Sequence, residues 1–144
     1  MGAPGATLFF YGSLLDADVR AAVLGPMAPP ATEPATLAGW RRVTAPGAIF
    51  PIVLRAADGE VAGAIARGVP PAAVRRLDAY EGAGYRLEAV TVTLADGTPC
   101  EAQVYVPVRA VAGPGKPWDL DDWRRRHKRR FLARMKATGP YAFG

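Results

Sequence analysis

Two short patterns in this chain hold residue types that can do chemistry. The first is Glu81. Val74, Leu77 and Glu81 fall at i, i+3 and i+7, which is one stripe of a helix that opens at Pro70-Pro71, runs to about Tyr80 or Glu81, and stops at Gly82. A glutamate on a buried stripe is costly unless it is hydrogen-bonded or neutral, and at a helix C-terminus the backbone dipole disfavours its charge. Both effects raise a carboxyl pKa towards neutrality, where a general acid or base works best. The same spacing also fits a frayed last turn with Glu81 in solvent, and periodicity by itself favours that arrangement. The second pattern is Tyr11-Gly12-Ser13-Leu14. A strand that ends in Gly-Ser and heads into a helix leaves backbone N–H groups without partners, and such amides can receive an anion. The plain alternative is a strand-to-helix turn capped by Ser13 or Asp16.

These residues need a scaffold. Thr7 to Tyr11 is a short apolar and aromatic run and reads as a buried strand. Asp16 to Leu24 reads as a short helix closed by Gly25-Pro26, and Pro26 to Pro34 as a loop. Thr36 to Thr44 and Ala48 to Arg55 read as strands around Pro46-Gly47. Asp58-Gly59 reads as a hairpin turn leading into Val61 to Ala66. After the Glu81 helix, Tyr85 to Leu94 and Glu101 to Val108 form a hairpin about Asp96-Gly97. Ala112 to Pro117 is a Gly/Pro loop. The final helix carries Trp123, Phe131, Leu132 and Met135 on one face. This order predicts an α+β domain on a mixed, curved or barrel-like sheet.

The composition narrows the chemistry. The chain has 144 residues, half of them apolar and 22% charged, as in one ordinary globular domain. One cysteine, Cys100, makes no internal disulfide; it reads as a packing residue or an ordinary thiol. One histidine, His127, with that cysteine is too few for a Cys/His zinc site, and no metal ligand set is expected. His127 sits in a basic run, a poor setting for a Ser-His-Asp triad. No eighteen-residue apolar stretch and no basic leader are present, so a soluble, cytoplasmic protein without a membrane partner is expected. The net charge of +5 is local. Residues 124–136 hold eight Lys or Arg and no acid, leaving ten bases against thirteen acids elsewhere. Such a run can meet phosphates, but it lacks aromatic interleaving and a reading motif, and a solvated helix face explains it without nucleic acid.

Taken together, the motifs resemble the γ-glutamylcyclotransferase-like proteins, including the γ-glutamylamine cyclotransferase branch. Three pieces carry the resemblance: Phe9-Phe10-Tyr11-Gly12-Ser13-Leu14; Leu77-Asp78-Ala79-Tyr80-Glu81-Gly82 followed by Tyr85; and Ala102-Gln103-Val104-Tyr105-Val106. They fall in the family's order and cover residues 6–108, and Trp118 to Met135 is a looser match to the helical tail of some members. The resemblance implies residues 1–144 as a single domain with a basic C-terminal helix at 118–136. Its fold would be a small mixed β-barrel with flanking helices and a cavity at one end. It implies intramolecular aminolysis of a γ-glutamyl amide or peptide, releasing 5-oxoproline and an amine or amino acid. It further implies Glu81 as the catalytic acid/base, and the amides of Gly12, Ser13 and Leu14 as the grip on the substrate. Tyr11, Tyr85 and Tyr105 would line the cavity, and no metal or cofactor would take part.

The partner implied is a small γ-glutamyl molecule, and no feature selects an oligomeric state. Arg41, Arg42, Arg55 and Arg86 are candidates for a second substrate carboxylate, though each reads better as a surface arginine. Two other readings keep the same residues: a module that binds a γ-glutamyl or carboxylate ligand without converting it, and an adaptor for nucleic acid through residues 124–136. The enzyme predicts Glu81 buried beside the Gly12-Ser13 amides; ligand-induced stabilisation without product would mark the module, and affinity for nucleic acid at moderate salt that is lost with the arginines would mark the adaptor.

Overall fold

A computed structural model describes residues 5–28, 31–111 and 113–139. The expected loop positions Pro29, Pro30 and Ala112 lie outside them. The chain runs β1 (Ala6–Phe10), a 3-10 turn (Ser13–Leu15), α1 (Ala17–Leu24), a second 3-10 turn (Gly25–Met27), β2 (Glu33–Thr44) and β3 (Pro51–Val69). It continues through α2 (Pro71–Glu81), β4 (Tyr85–Leu94), β5 (Pro99–Pro107), α3 (Leu120–Trp123), a π turn (Arg124–Lys128) and α4 (Arg129–Thr138). The strands close a barrel in the order β1-β3-β2-β4-β5. The closing pair, β1 with β5, is parallel, and the other pairs are antiparallel. This is the mixed barrel with flanking helices that the α+β reading anticipates.

β1 shows why the apolar run at the N-terminus has no polar alternation. Successive side chains point to opposite faces of a strand, and here both faces are covered. Leu8 and Phe10 pack outward against the helices, with Val19, Val23, Leu77 and Phe131. Phe9 and Tyr11 point into the barrel among Leu37, Trp40, Val61, Ile65 and Val104.

Asp58-Gly59 is not a hairpin turn. β3 passes through it as one strand of 19 residues. The register against β2 changes there, from Ala38↔Glu60 to Trp40↔Arg55, so several β3 residues oppose Gly39 alone. This is a bulge, which bends a strand sharply enough to help close a small barrel. Gly59 serves close approach: a Cβ on it would lie 2.3 Å from the Trp40 carbonyl oxygen. The Asp96-Gly97 turn does form. Leu94 N–H donates to Thr98 O and Gly97 takes φ +88°, joining β4 to β5 in unbroken register from Tyr85↔Pro107 to Thr93↔Pro99.

Asp16 caps α1, its carboxylate accepting from the N–H groups of Asp18 and Val19. On α2 the buried line is Ala73, Leu77 and Tyr80, one step round from the expected Val74-Leu77-Glu81 stripe. Val74 and Glu81 are half-buried beside it. α2, with α1 beside it, turns this deepest line towards the outward-facing Leu8 and Phe10 of β1, while Glu81 at its end flanks the barrel mouth. The C-terminal helix buries Trp123, Phe131 and Met135, with Leu132 half-buried, as its pattern anticipates. Among the described residues no helix is long and apolar enough to cross a membrane.

Candidate active site

A pocket of about 70 Å³, room for several water-sized groups, opens at the barrel mouth. Every residue singled out from the motifs lines it: Tyr11, Gly12, Ser13, Leu14, Glu81, Tyr85 and Tyr105. Residues 70 positions apart meet because β1 ends at the mouth where α2 ends. β4 and β5 then bring Tyr85 and Tyr105 alongside.

The Gly12–Leu14 segment presents amides. A trans peptide points its carbonyl and the following N–H in opposite directions. Tyr11 O accepts from Arg42 Nη1 at 2.9 Å, Gly12 O from Leu15 N at 2.9 Å, and Ser13 O from Asp16 N at 3.0 Å. The N–H groups of Gly12, Ser13 and Leu14 are therefore turned away from those three partners, and none donates to a backbone carbonyl among the described residues. Gly12 is needed here for space: a Cβ on it would lie 2.9 Å from the Pro51 side chain, which is another wall of the pocket.

Around this turn the hydroxyl groups are fixed. Ser13 Oγ and Tyr80 Oη are hydrogen-bonded at 2.8 Å. Tyr11 Oη donates to Tyr105 O at 2.7 Å, and Tyr105 Oη donates to Asp78 Oδ1 at 2.6 Å. Burial pushes the Tyr11, Tyr80 and Tyr105 phenols well above their ordinary value, and Tyr85 up to about 12, with Glu81 adding to each. All four remain neutral hydroxyls near pH 7.

Glu81 is the acid of the pocket wall. Burial first, and the nearby Asp78 carboxylate second, push its pKa up to about 8. Among the described residues no donor meets its carboxyl, and no lysine or arginine lines the pocket. The pocket lining thus joins a carboxyl with a raised pKa to the Gly12–Leu14 segment, whose N–H groups meet no backbone acceptor among the described residues. It is suited to a small ligand that carries both a cationic and an anionic end.

The four candidate arginines lie elsewhere. Arg41 donates to the carbonyls of Pro114 and Gly113, and Arg42 to those of Tyr11 and Ala62. Arg55 and Arg86 share Glu88. Cys100 packs half-buried against the barrel interior. Sequence reading missed Tyr80, Phe50 and Pro51 as walls of the pocket. Tyr80 was legible as the third member of the Ala73-Leu77-Tyr80 line. Phe50 and Pro51 carried no signal, because a loop-to-strand junction places them.

The chain matches the family model described as "Gamma-glutamyl cyclotransferase, AIG2-like" over residues 8–125. It is 31% identical over 132 residues to AIG2-like protein A of Arabidopsis thaliana, covering 90% of this chain and 78% of that one. A solution structure of an Arabidopsis thaliana protein superposes with a TM-score of 0.69 at 28% identity, over 92% of this chain and 91% of the other. The crystal structure of a yeast gamma-glutamyl cyclotransferase specific to glutathione shares the fold, with a TM-score of 0.56 at 14% identity over 98% and 96% of the two chains. With its motifs gathered in one pocket and its family model matched across the barrel, this chain belongs to the gamma-glutamyl cyclotransferase, AIG2-like family.

Proposed function

We propose that the protein is a γ-glutamyl cyclotransferase in activity as well as in family. It closes a γ-glutamyl amide or peptide to 5-oxoproline and releases the amine or amino acid. The observation that carries this reading is the Glu81 carboxyl, raised to about 8 and placed in one pocket with the Gly12-Ser13-Leu14 amides.

The substrate's α-amine attacks its own γ-carbonyl. A new C–N bond closes the five-membered lactam, and the old amide C–N bond breaks. The nucleophile belongs to the substrate, so the protein supplies position and proton transfer. Glu81 as carboxylate takes one proton from the α-ammonium and returns it to the leaving nitrogen; the attacking nitrogen sheds a second proton as the lactam forms, and the expelled amine ends as an ammonium. The raised pKa of Glu81 brings its carboxyl nearer to that of an α-ammonium, so the exchange is less uphill than with an ordinary carboxylate. The amides of Gly12, Ser13 and Leu14 hold the α-carboxylate or polarise the carbonyl oxygen. The neutral hydroxyls of Tyr85 and Tyr105 complete a wall that holds the substrate folded. Incubation with a γ-glutamyl dipeptide, glutathione and γ-glutamyl-ε-lysine, followed by mass spectrometry for 5-oxoproline, tests the reading. Product from at least one is expected. A folded protein that binds these molecules and converts none would be a binding module on the same fold.

A further inference from the structure

We infer that Arg42 is a positioning residue of this site: it holds the Tyr11–Gly12 peptide so that the Gly12 N–H faces the pocket, and it supplies the positive charge that the pocket wall lacks. The inference rests on the reading of the Gly12–Leu14 amides as the grip on a substrate α-carboxylate.

Three peptides present these amides, and they are not held alike. The carbonyls of Gly12 and Ser13 are fixed by the turn's own bonds from Leu15 and Asp16. Tyr11 follows the last residue of β1 and lies outside that turn. Its carbonyl is held instead by Arg42 Nη1, at 2.9 Å, reaching over from β2. The same nitrogen meets Ala62 O at 3.2 Å, and the guanidinium lies over the Trp118 ring, 5.3 Å from its centroid. Arg42 is thereby clamped from three sides. No carboxylate among the described residues lies within salt-bridge distance of it; Asp119 is near enough to favour its charge but does not pair with it. Partial burial lowers its pKa, and the Asp119 charge opposes that shift.

A cation on a peptide oxygen draws electron density from the peptide nitrogen and strengthens its N–H as a donor. An anion on the Gly12 N–H then feels the amide dipole and the guanidinium behind it, in a pocket with low local dielectric. Arg20 does a lesser version of this at the other end. Its Nη1 meets Leu14 O at 2.8 Å and Leu15 O at 2.9 Å, which stiffens the turn without setting the direction of the three donors.

The test uses two lactams that differ only in the carboxylate, 5-oxo-L-proline and 2-pyrrolidinone, titrated by NMR into the full chain. Wild type is expected to prefer 5-oxo-L-proline. Arg42→Met is expected to lose about tenfold in affinity for 5-oxo-L-proline and almost nothing for 2-pyrrolidinone, the size of one charge-assisted contact. Arg42→Lys keeps the charge and loses the two-carbonyl clamp, so an intermediate loss confined to 5-oxo-L-proline is expected. That variant decides the matter if Arg42→Met does not fold. Equal losses for both lactams would make Arg42 a merely structural residue, and no loss would free it of any role; either overturns the inference while leaving the reaction intact. A wild type that binds both lactams equally overturns the carboxylate grip itself, and the inference with it.

Discussion

Asp16 and Glu81 are both acids at least partly taken out of water, and they are treated in opposite ways. Asp16 is 1% exposed. Burial alone would raise its pKa, but Lys128 Nζ at 2.9 Å, Arg124 Nε at 2.8 Å and the Val19 N–H outweigh burial and hold it below the usual carboxylate value. Glu81 is given no donor among the described residues and a second carboxylate nearby, so burial dominates and its pKa rises. One acid is a structural bolt between α1 and the C-terminal helix, and the other is kept poised to exchange a proton. Burial alone therefore identifies neither; the ring of partners does.

The largest effect that separates the two is on turnover. Glu81→Gln is expected to lower 5-oxoproline formation by ~10²–10⁴-fold or more, the usual worth of one general acid/base, with the fold intact. In wild type kcat/KM should rise with pH up to about 8, as the Glu81 carboxylate forms, and that limb should vanish in the variant. Asp78→Asn removes the like charge beside Glu81 and should move the limb to lower pH, by less than burial contributes. Product from Glu81→Gln at the wild-type rate would move the proton transfer to another group.

Stability should separate them with opposite signs. Glu81 has a raised pKa in the folded state, so the folded protein binds more protons than the unfolded chain between about pH 4.5 and 8. Its contribution is full below that window and is lost as pH rises through it. Glu81→Gln should accordingly match wild type at pH 4 and exceed it at pH 9, by ~5 kcal/mol at most and by less once solvent screening at this half-buried group is counted. Asp16 has a depressed pKa, so its contribution is present above the ordinary carboxyl pKa and is lost as pH falls through the folded value. Asp16→Ala should cost about 2–4 kcal/mol at pH 7, summing a lost helix cap and two broken pairs, and the deficit should shrink in acid. Urea midpoints across pH check both.

How much of this was legible in the sequence follows from the same contrast. Elements with local signals were readable. The hydrophobic run of β1, the Asp16 cap, the Pro70-Pro71 start and Gly82 stop of α2, and the Asp96-Gly97 hairpin all appear within a residue or two of their expected places. Asp58-Gly59 was misread because its glycine answers a tertiary demand, the approach of the Trp40 backbone, and a local signal cannot tell that from a turn. The Val74-Leu77-Glu81 stripe was one step off because helical periodicity gives a face to within a residue, while the neighbours decide which line is deepest. The pocket residues were found through the motif resemblance; periodicity by itself left Glu81 in solvent. The pairs made by Asp16 span 108 and 112 positions in the chain, and no local pattern predicts them.

The smallest effect tests whether the worth of a basic residue in this helix comes from its count or from its partner. Arg126 pairs with Asp122 at 2.9 Å, four residues away, and both side chains are well exposed. Such a pair contributes about 0.3–0.5 kcal/mol and fades with salt. Arg124 makes a pair of nearly the same length, but its partner is the buried Asp16. Arg126→Ala should lower the unfolding free energy read from urea titration by no more than about 0.5 kcal/mol, and Arg124→Ala by more, because it leaves Asp16 short of a donor. If the two cost the same, Lys128 and the α1 amides satisfy Asp16 without Arg124, and the bolt between α1 and the C-terminal helix has one bar where the structure shows two.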